Sequence, residues 1–169
     1  MQDALNSIRV DPRIANIIGR VERVSKKIDI EEIQREILRY GQIDVPLLDP
    51  NKKSIRRANQ TIQEWAARLS RLGLVYSRLT IAYTEINILC QRAKTYIYDK
   101  EAFTKFRNNE TREAALWGIL KEPLTLLERM RGVYEMIERI SKDLTSSRQA
   151  VQVQQENLRV IGSSIRAGK

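Results

Sequence analysis

The residues best suited to chemistry in this chain are cations interleaved with aromatic rings. The run Gln91–Arg92–Ala93–Lys94–Thr95–Tyr96–Ile97–Tyr98–Asp99–Lys100 is followed directly by Phe103, Lys105, Phe106 and Arg107. Cations neutralise phosphates and release counterions. Exposed rings stack on unpaired bases at about 1–3 kcal/mol each, with little sequence preference. The interleaving favours single-stranded nucleic acid over duplex, because no recognition-helix motif for a groove is visible. The same rings can instead pack the turn that follows; the spacing favours packing for Phe103 and Phe106 and leaves Tyr96 and Tyr98 open.

Other chemistries have little to work with. The chain has no histidine, and so lacks the commonest general base, triad member and transition-metal ligand. One cysteine, Cys90, cannot build a zinc site of four thiolates or an intrachain disulfide. No GxGxxG or Walker A spacing occurs. The carboxylate pairs Glu32 with Glu36 and Glu135 with Glu138 sit at helical spacing, where solvation and ion pairing are the ordinary reading. Binding rather than catalysis is expected, with no cofactor and no metal.

The cations must be carried by a helix. Ile55, Ala58, Ile62, Trp65, Leu69, Leu72, Tyr76, Leu79, Tyr83, Ile86, Cys90, Ala93 and Ile97 are spaced alternately by three and four residues. That period places one seam on one helical face. At 1.5 Å per residue this helix spans roughly 65 Å, too long to be stable without partners along its seam. Off the seam stand Arg56, Arg57, Arg68, Arg71, Arg78, Arg92 and Lys94, against only Glu64 and Glu85. Cys90, on the seam, reads as a small buried thiol.

The remaining elements are helical too. Asp11 as N-cap and Pro12 in the first turn start a helix through about Lys27. Asp29 begins a second, with Ile30, Ile33, Ile37 and Leu38 as its face and Gly41 as its stop. Residues 42–53 form a loop with two prolines; Ser54 can cap the long helix, with Asn51 as a competing start, and that helix stops near Tyr98. After a connector, Thr111 caps the last helix, which Pro123 should start or kink. Its heptads run Leu116, Met130, Ile137, Leu144, Val151, Leu158 and Ile165 at one core position. Ile119, Leu126, Val133, Ile140 and Ile161 stand at the other, where Ser147 and Gln154 interrupt. The expected fold is all-α: an antiparallel long-helix bundle or coiled coil with short N-terminal helices. Its segments are 1–53, 54–110 and 111–169.

The net charge of +9 is uneven. Residues 1–50 carry eight basic and nine acidic groups, residues 51–107 twelve and four, and residues 108–169 ten and eight. An excess concentrated on one element points to a polyanion, either nucleic acid or an anionic membrane surface. No apolar run is long enough to span a membrane and no secretory leader is visible, so a cytoplasmic protein is expected.

In the order of three segments the chain resembles the UvsY recombination mediators of tailed phages. Ile30–Glu31–Glu32–Ile33–Gln34–Arg35–Glu36–Ile37 looks like that family's LEDLQEEL-type opening helix. The long helix ending in Arg92–Ala93–Lys94 and its tyrosines is similar to the KARLDYYSG motif. The terminal Ile165–Arg166–Ala167–Gly168–Lys169 is similar to MRAFEAGK. Arg92 and Lys94 match the motif's two basic positions and Tyr98 one of its tyrosines. Ile97 stands at the other, with Tyr96 offset by one, and Asp99–Lys100 replace a small-residue turn. The first 27 residues have no counterpart.

The resemblance implies an all-helical protein that forms a ring of six or seven subunits through its C-terminal helices. It also implies single-stranded DNA binding and help in loading a RecA-type recombinase onto strands covered by single-strand-binding protein. The candidate DNA site is then Arg92, Lys94, Tyr96, Tyr98, Lys100, Lys105 and Arg107, with Arg78 and Arg71 further back along the helix. Ile137, Ile140, Leu144, Val151, Leu158, Ile161 and Ile165 are the candidate residues for oligomerisation. The alternative is a basic helical bundle that scaffolds an assembly or binds a membrane surface.

Overall fold

An unbroken three-four spacing leaves residues 55–97 one economical conformation, and the chain adopts it. The computed structural model describes residues 8–46, 48, 52–104, 106 and 108–167. Its helices are α1 (Pro12–Lys26), α2 (Ile30–Tyr40), α3 (Lys52–Tyr98), the single turn α4 (Glu101–Thr104) and α5 (Asn109–Ala167). There is no strand among the described residues. The fold is all-α, with two long helices packed together, as the periodicity requires.

The chain divides into two compact units, Met1–Glu31 with Ser77–Val133 and Glu32–Tyr76 with Tyr134–Lys169. This division cuts across the segments 1–53, 54–110 and 111–169, because α3 and α5 each contribute to both units.

In the first unit α1 runs antiparallel to α3. Arg13 lies over Tyr96, and Arg20 faces Glu85 one helix stretch earlier. Asp11 caps α1, its Oδ1 accepting from the Arg13 N–H at 2.9 Å, and Pro12 sits in the first turn, where its missing N–H costs nothing. Asp11 also pairs with the Lys100 ammonium just past α3, which ties the start of α1 to the turn after α3. Ile14, Ile17 and Val21 of α1 are buried, as are Leu79, Ile86, Ala93 and Ile97 of α3. Phe103 and Phe106 then close the end of the core.

The last helix starts earlier than Thr111. Asn108 is its cap, with Oδ1 accepting from the Thr111 N–H at 2.8 Å, so α5 begins at Asn109. Threonine and asparagine both suit a cap; the asparagine comes first and takes the position. The proline effect appears as a break at Leu120 (φ −104°, ψ 21°). The Pro123 ring would clash with the carbonyl four residues before it, and the break puts Pro123 in the first turn of a new helical stretch.

In the second unit α3 and α5 are antiparallel. Tyr76 meets Tyr134 edge-to-face at 5.0 Å, and Asn59 meets Gln155. Ala58, Trp65 and Leu72 of α3 are buried in the same unit as Ile33 and Ile37 of α2 and Leu144 and Val151 of α5. Leu38, expected on the inner face of α2, is 54% exposed. Gly41 does end α2, but not through a left-handed conformation, because no described glycine has positive φ. A Cβ there would stand 2.8 Å from Cδ1 of Ile140 on α5, so a larger residue would need that side chain to shift.

The seam on α3 is wider than a two-helix coiled coil would need. Val75, Ala82 and Leu89, each one position before an expected seam residue (Tyr76, Tyr83 and Cys90), are also buried. The seam on α5 turns inward, which corrects its proposed role in assembly. Ile137, Ile140, Leu144 and Val151 are at most 7% exposed. Their surface is already covered by their own chain, so they have none to offer another protomer. Leu158 is half-buried and Ile161 is 51% exposed; the Ile165 side chain lies outside the described residues.

Candidate nucleic-acid interface

α3 carries nine basic and two acidic residues, whereas α5 carries nine and eight. Burying one apolar face of α3 forces its cations outward: Arg56, Arg57, Arg71, Arg78 and Arg92 are exposed, and Arg68 and Lys94 are half-buried. The described ion pairs are Arg20–Glu85, Lys100–Asp11 and Arg129–Glu31. In them α3 contributes a carboxylate and no cation.

The expected DNA residues at the end of α3 do not form one patch. Residues four apart share a helical flank, so Arg92 goes with Tyr96 and Lys94 with Tyr98. The buried Ala93 and Ile97 lie between the two pairs. On one flank the Arg13 guanidinium stands 5.5 Å from the Tyr96 ring centroid, a cation–π contact that occupies one ring face. On the other, Tyr98 stays 46% exposed and meets Phe103 edge-on at 5.1 Å. Phe103 and Phe106 are 1% and 6% exposed and pack the turn, so neither ring is available to a base.

Lys100 is the clearest departure from expectation. Its ammonium is held by Asp11, and that contact, with the Arg13 backbone N–H, lowers the Asp11 carboxyl below its ordinary value. It acts as a tie between elements rather than as a free phosphate contact. Lys105 and Arg107 lie outside the described residues. Arg71, in the second unit, is exposed and close to the Tyr40 hydroxyl, which itself donates to Glu36 at 2.6 Å.

Arg78 has company that the sequence did not announce. In the first unit it lines a groove of about 790 Å³ together with Arg20, Arg23 and Lys26 from the last turns of α1 and Lys27, its C-cap. Glu85 is the one carboxylate in that lining. Averaged over residues 1–50 these four cations are cancelled by acids elsewhere. Their spacing of three, three and one, which keeps them in one sector of a helix, was the available signal.

Two further groups bear on function. Cys90 is buried, and burial pushes its thiol up to about 11, away from nucleophilic reactivity at neutral pH. Among the described residues, no group of three or more His, Cys, Asp or Glu is placed to hold a metal ion, and no helix is long and apolar enough to cross a membrane.

Comparison with family models, with curated proteins and with solved structures finds no match to this chain. The fold and the placement of charge therefore carry the functional argument.

Proposed function

We propose that this protein binds single-stranded DNA and acts as a recombination mediator of the UvsY kind, helping a RecA-type recombinase onto strands covered by single-strand-binding protein. The observation that carries the reading is the outward excess of positive charge on α3, which the described ion pairs leave without carboxylates. Arg92, Lys94, Arg78 and Arg71 contact the phosphates. Tyr98 supplies the open ring, and Tyr96 offers the face that Arg13 leaves free. Subunits assemble through the exposed end of α5, where Val153, Val160 and Ile161 are more than half exposed. Joining several weak sites in one oligomer gives avidity while leaving each contact easy to release, which suits a protein that must yield the strand. The chemistry is binding, with no catalytic residue.

The test is recombinase filament formation on single-stranded DNA precoated with single-strand-binding protein. Addition of this protein is expected to shorten the lag. An unchanged lag, with DNA binding intact, would remove the mediator role and keep the binding role.

A second reading has one observation in its favour. Leu74, Ile81 and Ile88, one heptad apart on α3, are 67%, 71% and 47% exposed. Apolar bulk beside arginines is what an anionic membrane surface attracts. Flotation with anionic vesicles separates this reading from the first.

A further inference from the structure

The groove at the end of α1 differs in character from a phosphate track. Its rim is cationic, with Arg20, Arg23, Lys26 and Lys27 on one side and Arg78 on the other. Its floor is aliphatic, with Val24 and Ile28 half-buried and Ala82 buried, and Ile81 stands exposed at its edge. Ile81 is 71% exposed, although a branched side chain of that size is ordinarily covered. The helix dipole accounts for part of the rim, since Arg23 and Lys26 complement the negative C-terminal end of α1. It does not account for Arg78, which comes from α3, or for the apolar floor.

The chemistry of floor and rim together narrows the occupant. A nucleic-acid strand would use the cations but find no aromatic ring on the floor for its bases. A flat bilayer would meet Ile81 but not the recessed Val24, Ile28 and Ala82. A second copy of this chain carries a net charge of +9, so its approach to a cationic rim is opposed overall. A protein segment with carboxylates flanking aliphatic or aromatic anchors meets both parts. The volume of about 790 Å³ accommodates several side chains. Ile88, one heptad beyond Ile81 and 47% exposed, continues the apolar line along α3 with Arg92 four residues further. That spacing fits a helix laid into the groove, its anchors recurring at i, i+3 or i+4, and i+7.

We propose that this groove docks an acidic, amphipathic helical segment of a partner protein. Ile81 receives an apolar anchor, and the α1 cations with Arg78 pair with its flanking carboxylates. The site shares Arg78 with the proposed DNA contacts, but its apolar anchor at Ile81 and its α1 cations are not among them.

The probe is a fluorescein-labelled peptide of about 16 residues, with glutamates flanking leucines at helical spacing, titrated with the full chain. A control peptide carries serine in place of every leucine. Saturable binding of the leucine peptide is expected, weakened roughly tenfold or more by serine replacement, by Ile81→Ser and by Arg23→Glu with Lys27→Glu. Circular dichroism confirms that each variant is folded. Equal binding of the two peptides, no binding of either, or indifference to Ile81→Ser in a folded variant would overturn the proposal. Oligo-dT and anionic vesicles serve as competitors; displacement of the peptide by either, with loss of that competitor's own binding in Ile81→Ser, would reassign the groove to it. Oligo-dT affinity in Ile81→Ser is expected to match the parent, so failure of the peptide result and failure of the DNA reading are separately visible.

Discussion

Gln155 of α5 donates from Nε2 to Oδ1 of Asn59 on α3 at 2.8 Å, and at 3.4 Å to the Ile55 carbonyl. Gln155 is the one polar residue in the described core, at 7% exposure, so its amide has few alternatives to this contact. A buried polar group that finds its partner in only one alignment sets register. Sliding α5 by one residue would strand the amide among apolar neighbours. The expected polar interruptions were Ser147, which is half-buried, and Gln154, which is exposed; the buried polar residue is Gln155, beside the second.

A double-mutant cycle measures that pairing. Gln155→Ala and Asn59→Ala should each lower unfolding free energy by about 1–2 kcal/mol, with a coupling of about 0.5–1.5 kcal/mol. Denaturant unfolding checks it, and strictly additive effects would mean the contact does not specify register.

Leu144 and Ile161 separate inward from outward positions on α5. Leu144 is fully buried, so Leu144→Ala should destabilise the fold by about 2–5 kcal/mol through lost transfer energy and a residual cavity. Ile161→Ser, at an exposed site, should change stability by no more than about 0.5 kcal/mol while shifting the self-association equilibrium. Thermal unfolding at two protein concentrations with light scattering reads both effects.

The identity and extent of nearly every helix were legible in the sequence, because one buried face per helix dictates the period. Asp11, Pro12 and the end of α3 at Tyr98 fell where local chemistry placed them. The width of the core was not legible. A two-position seam assumes one partner, and Val75, Ala82 and Leu89 are buried because α3 has more than one. The inward turn of the α5 seam was missed for a related reason, since a heptad does not say whether its partner belongs to the same chain. The candidate site was half legible: the excess charge on α3 could be read, but its division between two flanks, the Lys100–Asp11 tie and the cations on α1 depend on packing between distant segments.

The Asp11–Lys100 tie predicts a pH response. The nearby ammonium holds the Asp11 carboxyl below its ordinary 3.8 in the folded chain. The unfolded chain therefore binds more protons around that value, and the tie's contribution is present above it and lost as pH falls through the lowered value. Carboxyl chemical shifts in an NMR titration should show Asp11 moving back toward 3.8 in Lys100→Gln. An unmoved titration would mean the pair does not persist in solution.

Cys90 gives a response of opposite sense. Its thiol is raised from 9.0 to about 11, so between those values the unfolded chain ionises while the folded chain does not. Stability associated with this group is intact below pH 9 and falls progressively toward pH 11. At pH 8 a thiol reagent should label the native protein far more slowly than the denatured chain. Equal labelling rates would show that the seam opens around Cys90.

Binding of single-stranded DNA along α3 is tested most directly by fluorescence anisotropy of labelled oligo-dT and a matched duplex across a salt series, with Arg92→Gln and Arg71→Gln beside the parent chain. Tighter binding to the single strand is expected, with a log–log salt slope of about −0.7 per phosphate neutralised. Each substitution should make that slope shallower by about that amount. Equal affinity for the duplex, or binding at low salt that neither arginine substitution alters, would contradict it.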